Sequence, residues 1–130
     1  MSHFSTVKTQ LKKKLPLMQA LRDLGFLPEE GKNLVRGYRG QTIEAELYVQ
    51  ISHGGDIGFR WNEFSKTYEL VTDLDLWKQQ IPVERFLSKL TQRYALNTVI
   101  ATTANEGFEI AEQKNNIDGS IELVVTRWDE

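Results

Sequence analysis

The sequence predicts an α+β protein: a two-layer sandwich of a mainly antiparallel sheet with two helices on one face. Three observations lead there. Ile43, Ala45, Leu47, Val49 and Ile51 alternate with Glu44, Glu46, Tyr48 and Gln50, the pattern of a strand with one face covered and one wet. From Pro82 to Asn105, the residues Val83, Phe86, Leu87, Leu90, Tyr94, Asn97, Ala101 and Ala104 fall in one stripe at about 100° per residue. Strand patterns and helix patterns do not alternate regularly, which argues against a parallel, doubly wound sheet.

In chain order, Ser2 to Thr9 reads as a strand with Phe4 and Thr6 on one face and His3, Ser5 and Val7 on the other. Lys12, Lys13 and Lys14 precede Leu15-Pro16, where a helix starts; Leu17, Met18, Leu21 and Leu24 form its apolar stripe and Gly25 ends it. Phe26 to Asn33 reads as a loop, from Pro28, two glutamates and Gly31. The alternating strand follows. Then come a turn at His53 to Asp56, a strand with Ile57, Phe59 and Trp61, a turn over Asn62 to Thr67, and a strand with Tyr68, Leu70 and Thr72. Gly58 sits in that meander where a close approach is expected.

Asp73 to Trp77 leads into the long helix, which Pro82 opens and Gly107 stops. Phe108 to Gln113 and Ser120 to Trp128 read as strands joined by Asp118-Gly119, a type I′ hairpin signal. The predicted order is β-α-β-β-β-α-β-β, with strands from both ends and the middle sharing one sheet. Leu96, Val99 and Ile100 lie off the main stripe of the long helix, which marks a second buried side or a protein interface.

A chain of 130 residues forms one domain by size, spanning 1–130, and is long enough to bury a core without disulfides or metal. There is no cysteine, which excludes thiolate nucleophiles, iron–sulfur ligation and cysteine zinc sites. No apolar run resembles a signal peptide or a membrane span, so a soluble intracellular protein is expected. The net charge is −2, unevenly spread. Residues 1–40 carry eight Lys or Arg against three acids, a net of +5; residues 41–130 carry eight against fifteen, a net of −7. Such asymmetry marks a basic binding face only where folding keeps the charges together.

Two constellations carry candidate chemistry. Arg36, Tyr38 and Arg39, between Gly37 and Gly40, offer forked phosphate donors and a stacking ring; with Lys12, Lys13 and Lys14 they are the candidate anion or nucleic-acid site. The spacing is not that of a phosphate loop or a dinucleotide fingerprint, and glycines entering a strand commonly serve geometry. Asp56, Asp73 and Asp75 are the candidate carboxylates for a metal or for acid–base work, with turn and helix-entry roles as the plainer reading. His3 and His53 are the only histidines and no spacing links them. Trp61, Trp77 and Trp128 read as core or interface anchors. Nothing here calls for a cofactor.

Six strings in order carry a resemblance: Met1 to Thr6, Val35 to Gln41, Asp56 to Phe59, Thr91 to Ala95, Asp118 to Ser120, and Arg127-Trp128. Together they resemble the uncharacterised family of cyanobacteria and algal plastids catalogued as hypothetical chloroplast reading frame thirty-five. The resemblance covers nearly the whole chain and implies a phototroph source, with a cytoplasmic or stromal location. It brings no reaction, cofactor or catalytic residue. The expected function is a non-catalytic protein-binding or assembly accessory, with another protein as partner. An RNA- or anion-binding module is the alternative, and a small-ligand or metal-dependent enzyme around Asp56, Asp73 and Asp75 the second.

Overall fold

The computed structural model describes residues 4–51 and 55–127. His3, His53 and Trp128 lie outside the described residues. The elements run β1 (Phe4–Lys8), α1 (Lys14–Asp23), β2 (Pro28–Arg36), β3 (Thr42–Val49), β4 (Ile57–Asn62), β5 (Thr67–Asp73), α2 (Val83–Asn105), β6 (Phe108–Asn115) and β7 (Ile121–Arg127). The α+β class and the antiparallel pairing are as the sequence predicts. The chain divides into two compact units, Met1–Tyr94 and Ala95–Glu130, with the boundary inside α2.

The first unit holds a five-stranded antiparallel sheet in the order β1-β5-β4-β3-β2. Leu47, Val49, Phe59, Tyr68 and Leu70 of the sheet pack with Leu17, Met18 and Leu21 of α1 and Val83, Phe86 and Leu90 of α2. Two helices therefore cover one face, and burying their apolar stripes is what holds them there. The stripe of α2 works only in its first half, since Ala101 and Ala104 are exposed.

The strand β2 corrects the expected loop over Phe26 to Asn33. Proline and two glutamates hide it from pattern reading, but β2 is an edge strand, where Pro28 can stand first and charged side chains reach water. Its pairing shifts between Glu30↔Leu47 and Asn33↔Ala45, so β2 carries an extra residue there. Gly31 takes φ +105° at this bulge, a conformation that favours glycine.

Bulges bend strands and sharpen their twist. Accordingly β3 pairs with β4 only from Leu47↔Phe59 to Val49↔Ile57, while β4 and β5 stay paired to Asn62↔Thr67. The far half of the β2–β3 hairpin turns over the second face of the sheet. There Val35, Ala45 and Val71 form a small buried cluster. Gly58 makes room for it: a Cβ at that position would stand 2.4 Å from Val35 Cγ2 and 2.9 Å from Val71 Cγ2.

The second unit corrects the expectation of one shared sheet. β6 and β7 form a separate two-stranded sheet. The hairpin at Asp118-Gly119 is present with a different turn. Gly119 N–H donates to Asn116 O (3.0 Å), Gly119 has φ +90°, and Asp118 does not adopt positive φ. This is a type I turn followed by a left-handed glycine, not type I′.

Candidate functional site

The residues singled out as an arginine–tyrosine loop and those singled out as carboxylates meet at one end of the first unit's sheet. Arg36 ends β2 and Asp56 immediately precedes β4. Asp56 Oδ2 accepts Arg36 Nε (2.8 Å) and the Arg36 backbone N–H (2.9 Å). Its Oδ1 accepts Arg36 Nη2 (2.9 Å) and the Ile51 N–H (3.0 Å). The Asp56 carbonyl accepts Thr72 Oγ1 (3.0 Å). Asp56 is wholly buried. Burial works against its charge. The Arg36 guanidinium and the two N–H groups outweigh that and hold its carboxyl below the usual carboxylate range. The same contact raises the pKa of Arg36.

Asp73, also buried, has a second structural task. Its Oδ2 accepts the Tyr38 N–H (3.2 Å) and its Oδ1 accepts the Asp75 N–H (3.1 Å), capping a short 3₁₀ turn, Leu74–Leu76. Both carboxylates thus satisfy backbone donors and fasten the tip of the β2–β3 hairpin to the sheet. Asp75 lies in that turn and is exposed. Among the described residues, no group of three or more His, Cys, Asp or Glu is placed to hold a metal ion. The Arg39 guanidinium lies 5.1 Å from the Tyr38 ring centroid, an arrangement for stacking on a neighbouring face.

The basic N-terminal residues do not join this loop. Lys14 Nζ lies 3.5 Å from Glu30 Oε2 near the start of β2, whereas Arg36 is at its other end. The backbone N–H groups of Lys12 and Lys13 donate to Tyr94 Oη (3.1 and 2.9 Å). A cavity of about 550 Å³ opens where β3 leaves β4. It is lined by Lys14 and Arg60 against Glu30, Glu44 and Glu46. Three of its charges are already engaged: Lys14 pairs with Glu30, and Glu46 Oε2 accepts the Trp61 N–H (2.9 Å). Burial first, then the charges of Glu46 and Glu30, pushes the Tyr68 hydroxyl up from its ordinary pKa.

In the second unit, Leu96 is buried (6 % exposed), Ile100 is half-buried and Val99 is exposed (47 %). Only Val99 of the three presents a large apolar surface. Two features escaped the sequence reading. Val124 and Val125 of β7 are both substantially exposed. A cleft of about 370 Å³ lies beside Phe26 and Phe86, with Lys78 and Lys89 on its rim. The available signal was the row Arg85, Lys89 and Arg93, repeating every four residues along one side of a helix.

These features define a class: an α+β protein of antiparallel sheets whose buried aspartates serve structure. Within that class the chain belongs to the family described as "Protein of unknown function (DUF1257)", matched over residues 20–124. It is similar to the uncharacterized protein ycf35 of Guillardia theta, 41% identical over 128 residues, covering 98% of each chain. The proteins of the same description from Pyropia yezoensis and Cyanophora paradoxa are each 36% identical, again over 98% of both chains. No solved structure matches the chain. Among the described residues no helix is long and apolar enough to cross a membrane.

Proposed function

We propose that the chain is a non-catalytic protein-binding accessory that docks through its second unit. One observation carries this reading. Val124 and Val125 occupy successive positions of β7, hence opposite faces of the hairpin, and are 49% and 42% exposed. A two-stranded sheet is marginal by itself in water, and apolar groups on both faces gain by being covered. Val99 on α2 and Ile117 at the hairpin tip add exposed apolar surface in the same unit. The partner is accordingly a protein with an apolar face.

The other two readings have less support. An RNA- or anion-binding module would use Lys12, Lys13, Lys14, Arg36, Tyr38 and Arg39, yet Arg36 and Lys14 are already engaged by Asp56 and Glu30. An enzyme built on Asp56, Asp73 and Asp75 would need carboxylates free to act, and the first two are occupied by N–H donors.

The test is affinity purification from an extract of a phototroph with a high-salt wash. The wild-type chain should retain a stoichiometric protein, and Val99→Glu with Val124→Lys should lose it while melting unchanged. Retention of the same protein by the double variant would remove this reading. Release of nucleic acid as salt rises would favour the RNA-binding one.

A further inference from the structure

We infer that the cleft beside Phe26 and Phe86 binds a small amphipathic anion, an aliphatic or aromatic body carrying one carboxylate. This site lies wholly in the first unit and does not depend on the docking role of the second.

Its floor is assembled from three segments. The N–H of Phe26 donates back to Leu21 O (2.9 Å) and that of Gly25 to Arg22 O (2.9 Å), closing α1 and folding Phe26 against it. The Phe26 ring meets the Phe86 ring edge-on, centroids 5.6 Å apart at 90°. The Trp77 ring meets Phe86 from another side, at 5.5 Å and 66°. Trp77 Nε1 donates to Ile81 O (2.8 Å), which ties the segment between β5 and α2 into a wall. Leu24 and Ile81 complete the apolar lining. These contacts preform the cleft, so a ligand does not bear the cost of ordering it. Its volume, about 370 Å³, suits a small molecule.

The charge around it has one sign. The lining contains Lys78 and Lys89 and no acid. Neither lysine takes part in the ion pairs formed among the described residues. On α2, Arg85, Lys89 and Arg93 succeed each other at four-residue spacing, and like charges so placed repel. Arg93 is relieved by Asp23 at 3.0 Å, while Lys89 is left facing the cleft. An apolar floor with unpaired ammonium groups on its rim complements an apolar group ending in a carboxylate. Gln79 and Gln80 add amide donors at the same rim. The larger cavity near Tyr68 does not have this character, because its three glutamates outnumber Lys14 and Arg60.

The experiment is an amide-resolved NMR titration of the full chain with octanoate and with 1-octanol. Octanoate should shift Phe26, Ile81 and Phe86 saturably and bind about tenfold tighter than octanol, the worth of one charge-assisted hydrogen bond. Lys78→Gln with Lys89→Gln should remove that advantage and leave octanol binding unchanged. Both lysines are exposed, so the fold should survive, and an unchanged melting curve checks it. Arg85→Gln, on the same helix but outside the lining, should keep octanoate affinity within about twofold. A short acetylated peptide ending in Leu-Phe, as free acid and as amide, distinguishes a chain terminus from a free acid as the source. Tighter peptide binding assigns the first, tighter octanoate binding the second. Equal binding of octanoate and octanol, or no saturable shift at Phe26, Ile81 and Phe86, would overturn the assignment.

Discussion

Asp56 shows how one side chain sets the geometry of several segments. It is buried and collects four donors, two on each oxygen, so replacing one oxygen by an amide NH2 leaves either the Ile51 or the Arg36 N–H without its acceptor and breaks the ion pair. Asp56→Asn should destabilise the first unit by about 3 kcal/mol at pH 7, measured by denaturant unfolding. The pH dependence follows from the depressed carboxyl. The stabilisation is fully present above the unfolded carboxyl value of about 3.9 and is lost as pH falls through the lower folded value. The gap between wild type and variant should therefore narrow below about pH 4. A gap independent of pH would mean that packing, not the ion pair, is what Asn disturbs. The types at this site were legible beforehand: Arg36, Asp56 and Asp73 stood out as chemistry. Their partnership was not, because twenty residues separate Arg36 from Asp56 and pairing follows from how β2 curls.

At the scale of elements, α1 begins against the usual rules. Its N-cap Lys13 makes no side-chain cap bond, and the first turn has no acid. Three lysines there oppose the helix dipole. Helix α1 forms because Leu17, Met18, Ala20 and Leu21 are buried, and burial outweighs end effects. Lys13→Asp should stabilise the chain by about 1 kcal/mol in thermal unfolding, through a cap bond and a better charge. A loss of stability instead would show that the lysine has an anionic partner. Strand β2 teaches a related lesson. Its glutamates and Gly31 read as loop because the polarity of an edge strand and a bulge both mimic one. Gly58 was legible as a close approach, but what approaches is Val35 of β2 and Val71 of the neighbouring β5.

For the whole molecule, the two units differ in how much they bury. The five-stranded sheet has a helix-covered face and a second small cluster, whereas β7 is largely exposed. Amide hydrogen exchange should therefore be slowest in β3, β4 and β5 and faster by orders of magnitude in β6 and β7. Equal protection across both sheets would show that the hairpin is covered in solution, as by self-association. The sequence by itself determined the α+β class, both helices, the central meander and the terminal hairpin. Each rests on local periodicity or on a turn residue, which a linear reading contains. Only the tertiary structure decided that β2 is a strand, that β6 and β7 pair in a sheet of their own, that Asp56 belongs to Arg36, and that Lys78 and Lys89 share a cleft with Phe26. Those facts depend on which distant segments meet, and that follows from bulge geometry and burial across the fold, not from the spacing of neighbours.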